Sequence, residues 1–231
     1  MKKILITLTF LTSFLFAEAQ RYDVKSAIVE YEIKGTGVVM GAKAFIKGTS
    51  SLYFKDYGNT EYNEENIVQV IMGEKEEEHT ISKIVANKVY TVDFEDEVIY
   101  EQKILLDDNN NPILNMKDKD LLSMGAKKVG SEVILGYKCD VWELGEDKIS
   151  VYKSIPLKIV SVSMGITQIQ EAKIANFDIK IDENKFKLPP YPIKTVDEIL
   201  KDGDSEVPEL SPEQEKMMQD MIKQMGNVFD K

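Results

Sequence analysis

VEYEIKGTGVVMGAKAFI, residues 29–46, is the stretch that decides the fold. Val29, Tyr31 and Ile33 alternate with Glu30, Glu32 and Lys34, and then Val38, Met40, Ala42, Ala44 and Ile46 alternate with Lys43 and Lys47. Successive side chains of a strand point to opposite faces, so a period of two predicts strands with one apolar and one wet face. The same signal continues outward at 51–57, 67–72, 80–86, 88–93 and 98–103, and again at 132–135, 137–144, 148–152, 157–163 and 167–181. The connections are short and rich in turn formers, which predicts antiparallel meanders of about a dozen strands and leaves no room for helical crossovers.

Three stretches interrupt the pattern. Asp107 to Asn111 with Pro112 behind it reads as a loop, because Asp and Asn side chains bond to local backbone and favour turns. Residues 118–124, closed by Gly125, read as a short helix. Pro189, Pro190 and Pro192 end the sheet, a helical turn or two is expected at 195–201, and a polar linker follows at 202–208. Ser211-Pro212-Glu213 then opens a last helix with Met217, Met218, Met221, Ile222, Met225 and Phe229 on one side.

The first residues add Lys2 and Lys3, an apolar run from Ile4 to Phe16, and Ala17-Glu18-Ala19. That is the form of a cleaved export signal, and its apolar run is too short to span a bilayer, which needs about 20 residues. Cleavage after Ala19 removes Lys2, Lys3 and Glu18 and moves the formal charge from −11 to −12. So acidic a chain repels phosphate backbones, so nucleic acid is not an expected partner, and no transmembrane segment remains after cleavage.

The chemistry-bearing residues are few. Cys139 is the one cysteine and His79 the one histidine, so neither an intrachain disulfide nor a zinc or haem ligand set is available from these residue types. Cys139 stands among Tyr137, Val141 and Trp142 and reads as a small buried hydrophobe. Asp107, Asn109, Asn111, Asn115 and Asp118 are spaced like a calcium loop, but Pro112 stands where the sharp turn needs glycine, and Asp118 is shorter than the usual glutamate. No nucleophile elbow and no phosphate-binding glycine loop is present. The expectation is a non-enzymatic chain without a cofactor.

Three segments carry a family resemblance: Leu52-Tyr53-Phe54-Lys55-Asp56-Tyr57-Gly58, Gly136-Tyr137-Lys138-Cys139-Asp140-Val141-Trp142, and the run from Ile181 to Pro189 with Phe186 near its end. Together they resemble the periplasmic lipoprotein-carrier superfamily, and within it an exported branch whose members carry a G-Y-x-C element and a Met-rich tail. The resemblance implies an antiparallel half-barrel curved around one or two helices, with a concave apolar face that in carriers holds acyl chains. The chain departs from the carriers in its acidity and in having no arginine after Arg21, since they use a buried arginine in gating.

The reading is therefore a mainly β (α+β) protein with a signal peptide at 1–19, a half-barrel domain at 20–192, and a linker with a Met-rich helix at 193–231. Its expected role is to bind a lipid, an acyl chain or an apolar protein segment in the periplasm. Val29, Tyr31, Ile33, Val38, Met40, Ile46, Leu52, Phe54, Leu157 and Ile159, on a face running to Met164, are expected to line the concavity. Met217, Met218, Met221 and Met225 are expected to form a lid or tail. One alternative is an envelope interaction protein with a self-filled concave face. A further one is copper binding by the Met-rich tail, because thioether sulfur is a soft ligand. Truncation at Glu209 is expected to lower the melting temperature and raise hydrophobic-dye fluorescence; no change in either means the tail covers no apolar surface.

Overall fold

The computed structural model describes residues 20–103 and 116–195. The export signal, the calcium-like loop from Asp107 to Asn115, and the Met-rich tail lie outside the described residues. The chain forms two compact units, Met1–Ile193 and Lys194–Lys231, and only Lys194 and Thr195 of the second are described.

The first unit is built from antiparallel strands, β1 (Ala27–Val39), β2 (Ala42–Lys55), β3 (Thr60–Ile71), β4 (Glu74–Val85), β5 (Lys88–Asp93) and β6 (Val98–Lys103), then β7 (Lys127–Ile134), β8 (Tyr137–Leu144), β9 (Asp147–Tyr152), β10 (Ile155–Ser163) and β11 (Ile166–Phe177). With a three-residue strand β12 (Ile193–Thr195), they form one open twelve-stranded sheet in the order β12-β6-β5-β4-β3-β2-β1-β11-β10-β9-β8-β7. Two meanders, β1 to β6 and β7 to β11, thus meet where β1 pairs with β11. Gly37 lets them meet closely, since a Cβ there would stand 2.2 Å from the Gly165 carbonyl oxygen.

Helix contributes little. Among the described residues the one α-helix is α1 (Asp118–Ser123), where the sequence predicts a helix, and it is six residues long. Its buried Leu121 packs with Ala126, Trp142, Ile149 and Val151. The described residues thus form one open sheet with a single short helix, and the helix expected in the Met-rich tail lies outside them. Strand side chains make the largest core group, with Val29, Tyr31, Leu52 and Phe54 against Ile134, Cys139, Ile155, Leu157 and Ala172.

Cross-strand partners share a face, so the register shows which side is dry. On β1 the odd-numbered residues from Ala27 to Ile33 are buried, and they pair with the even-numbered Phe54, Leu52, Ser50 and Gly48 of β2. We call this the inner face. Further along the sheet the dry side changes. Tyr53, Tyr62, Ile81, Val92 and Ile99 stand on the outer face of β2 to β6 and pack with Ile179, Ile181, Phe186, Leu188 and Tyr191.

The segment after β11 therefore covers that outer face. A 3-10 turn at Glu183–Phe186 gives it shape, with the Asp182 side chain accepting from the Asn184 N–H. Lys55 Nζ bonds to both Glu183 carboxylate oxygens at 2.7 and 2.8 Å. The Ser26 hydroxyl donates to the Ile179 carbonyl at 2.6 Å, and the Ile99 N–H donates to the Pro192 carbonyl at 2.8 Å.

The residues before β1 tie the two meanders together at their lower end. The Arg21 and Tyr22 N–H groups donate to the Tyr57 carbonyl, and the Asp23 N–H donates to the Lys153 carbonyl. Lys25 N–H donates to Asp178 Oδ1. Arg21 is the chain's single arginine and is buried. It donates from Nε and Nη2 to the Gly58 carbonyl and pairs with Glu61 at 2.9 Å. Tyr22 donates its hydroxyl to the same Glu61 and stacks on Phe54 at 4.0 Å. Gly58 has a φ of 91°, and a Cβ there would stand 2.8 Å from the Tyr22 ring, so the turn needs glycine on both counts. Arg21→Ala leaves Glu61 with an uncompensated charge in a closed site, and the expected loss is about 3 kcal/mol in urea denaturation; a loss within about 0.5 kcal/mol, the range of neutral surface changes, contradicts this role.

Candidate functional site

The inner face is the candidate binding surface, and its composition changes along the sheet. One row of paired residues runs Val29, Leu52, Asn63, Ser82, Thr91 and Tyr100 across β1 to β6. Beside it runs Tyr31, Ser50, Glu65 and Thr80. The β1 end is apolar and closed. Toward β4 to β6 the same face carries hydroxyl, amide and carboxyl groups, most of them half-buried.

Of the residues expected to line a concavity, Val29, Tyr31, Ile33, Leu52, Phe54 and Leu157 are buried. All but Ile33 pack in one cluster. Ile159 packs instead with the Trp142 group beside α1. Ile46 is half-buried opposite Gly35 on the inner face.

Val38 and Met40 do not join them. Val38 is 57% exposed and Met40 90% exposed. The alternation at 38–46 is not one strand, because β1 runs on to Val39 and the chain reverses at Met40-Gly41. Val38 is thus an even-numbered residue of a strand whose odd-numbered residues face inward. Met164 is likewise a turn residue and 88% exposed.

Polar partners fix the boundary between the two regions. Ser50 is buried and bonds to Asn63 Oδ1 at 3.2 Å. The Tyr31 hydroxyl donates to the Pro156 carbonyl at 2.9 Å, joining β1 to the bulged start of β10. Burial pushes the Glu65 carboxyl above the usual carboxylate range, and repulsion from Glu78 adds to it. Glu65 and Asn63 carried no signal in the sequence, since β3 also carries Glu61, Glu64, Asn66 and Gln69.

Cys139 is buried, and burial pushes its thiol up to about 11, which removes its thiolate at neutral pH. His79 is far from it in the register, on β4, where Nε2 lies 2.9 Å from Glu64 Oε1 and the ring stacks on Phe94 at 4.4 Å. Among the described residues no group of three or more His, Cys, Asp or Glu side chains could hold a metal ion. Asp118 of the calcium-like spacing is exposed in α1, 3.8 Å from Lys128 Nζ. No described helix is long and apolar enough to cross a membrane.

No protein family matches the chain, and no curated protein does. Solved structures similar to it include an uncharacterized conserved protein from Thermus thermophilus, at 8% identity over 72% of this chain and 90% of that one, with a TM-score of 0.41. MucB is similar at 13% identity over 76% of this chain and 60% of its own, with a TM-score of 0.37. A domain assigned to outer membrane lipoprotein sorting, from Vibrio parahaemolyticus, is similar at 9% identity over 71% and 89%, with a TM-score of 0.30.

The raised Glu65 carboxyl has a pH consequence. Its folded pKa lies above the unfolded one, so ionised Glu65 costs stability at neutral pH, and the cost disappears as pH falls below about 4. Glu65→Gln is expected to raise the melting temperature at pH 7 and to leave it unchanged at pH 3.5. An equal effect at both values contradicts the burial of this carboxyl.

Proposed function

We propose that this chain is a non-enzymatic binding protein of the cell envelope that takes a lipid, an acyl chain or an apolar protein segment on its inner face. The observation that supports the reading is the row from Val29 to Tyr100, apolar at one end and hydrogen-bonding at the other on one continuous surface. Such a surface suits a ligand with an apolar body and a polar end. The polar end would meet Asn63, Ser82, Thr91 and the half-buried Glu65, and the body would enter toward β1 and β2 by parting the Val29, Phe54 and Leu157 cluster that closes that end. Ligand sites typically combine an apolar lining with a few placed polar groups.

The absence of a catalytic role is part of the same proposal. A buried thiol held protonated is a poor nucleophile, and His79 is bonded to Glu64 on the outer face. A second reading has its own observation. Val29, Phe54 and Leu157 are completely buried within the chain's own cluster, which favours a scaffold whose inner face is self-filled.

Organic extraction and mass spectrometry of protein purified from its native envelope separate the two. The binding reading expects an acyl lipid or an apolar peptide in about one-to-one ratio with the chain. Extracts without either support the self-filled scaffold and contradict the proposal.

A further inference from the structure

Five hairpin tips lie at one end of the sheet, and three of them, β1–β2, β3–β4 and β10–β11, are alike. Each turns on the same dipeptide, Met40-Gly41, Met72-Gly73 and Met164-Gly165, with positive φ at both residues. Turns of this hand favour Asn-Gly, because asparagine tolerates the left-handed region and bonds locally, while methionine has no such compensation. Met40 and Met164 stand almost wholly in solvent. Their tips are neighbours, since the Val38 N–H donates to the Gly165 carbonyl at 3.2 Å.

The outer face below these two tips is also apolar and open. One row runs Val162, Thr167, Thr36 and Phe45 across four strands, and the next runs Ile169, Lys34 and Lys47. Val38, Phe45, Val162 and Ile169 are exposed. Lys34, Lys43 and Lys47 are exposed around them. Neither 35–47 nor 159–170 contains an acidic residue, in a chain that has 40. Acid marks the borders. On one side Asp147 accepts from the Val162 N–H at 3.0 Å, and on the other the β4 strand begins with Glu74, Glu76, Glu77 and Glu78.

We propose that the paired Met40 and Met164 tips, with Phe45, Val38 and the lysine collar, dock on an anionic lipid surface. The charge pattern selects that occupant. Apolar side chains ringed by lysine suit the headgroup boundary, while the acidic β5–β6 and β8–β9 tips at the same end, which flank the Met40 and Met164 tips in the strand order, are repelled by it and confine the contact to the patch between them. Large exposed apolar patches on otherwise charged proteins mark such interaction surfaces. The docking surface lies on the outer face and does not depend on a ligand occupying the inner one.

The test is flotation of the chain, in the form the cell produces, with vesicles of phosphatidylglycerol and phosphatidylethanolamine and with vesicles of phosphatidylcholine alone. The unaltered chain is expected to float with the anionic vesicles and to release in high salt. Met40→Glu with Met164→Glu, and separately Lys43→Glu with Lys47→Glu, are expected to weaken flotation by about tenfold or more, given the apolar and lysine contributions at a lipid surface. Melting temperatures of the variants are expected to stay close to that of the parent, since these side chains are exposed. No flotation of the parent overturns the proposal. Equal flotation of the variants also overturns it, because they leave both termini intact and place the lipid contact there. A lipid-free dimer in analytical ultracentrifugation that the Met40 and Met164 variants dissociate assigns the surface to a second copy of the chain and overturns it as well.

Discussion

Strand β1 is hydrogen-bonded along both edges, to β2 beside it in sequence and to β11 far from it, and the rest of the fold depends on that second pairing. Each meander alone is a sheet whose inner apolar side lacks its partner. Only when β11 closes on β1 do Leu157 and Ala172 reach Val29 and Phe54. The closure joins residues separated by most of the chain, which carries a loop-entropy cost and places this ladder late in folding. Residues 21–26 offset part of that cost by bridging the turns at Tyr57, Lys153 and Asp178.

Among the described residues this wide sheet is accompanied by one six-residue helix, which is too short to keep one face dry throughout. The sheet is dry on the inner face where the meanders meet and dry on the outer face of β2 to β6, where the segment from Asp178 to Pro192 lies. The change of side falls on β2, where Tyr53 and Phe54 are adjacent, both buried and in different clusters. Because the outer face is covered there, the inner face of β3 to β6 does not need to be apolar. That freedom is what lets Asn63, Glu65, Ser82 and Thr91 share a surface with Val29 and Leu52.

Much of this was legible in the sequence. Alternation at Val29, Tyr31 and Ile33 gave the right inner face, and the short turns gave the antiparallel order. The phase was lost at Val38 and Met40, because alternation carries no mark of where a strand reverses. Glu74 to Glu78 reads as a solvated face or loop, and it is the exposed first half of β4, paired from Glu74 with Ile71 to Glu78 with Ile67. Near a hairpin tip both faces meet water, so backbone pairing holds the strand while its side chains show no burial pattern. Leu52-Tyr53-Phe54 did hold a clue to the change of side, since three contiguous apolar residues in a strand imply burial on both faces. The segment that covers the outer face was hidden by its prolines and lysines, with Ile181 and Phe186 too widely spaced to show a period.

The central claim, one sheet that is dry on opposite faces in its two parts, is tested most directly by relaxation of methyl resonances with a soluble paramagnetic agent. The account predicts that Ile81, Val92 and Ile99 on the outer face are protected together with Val29, Ile33 and Leu157 on the inner face, while Val38 and Val162 relax rapidly. Rapid relaxation of Ile81, Val92 and Ile99 alongside protected Val29 and Leu157 would mean that only the inner face is covered, and it would contradict the account.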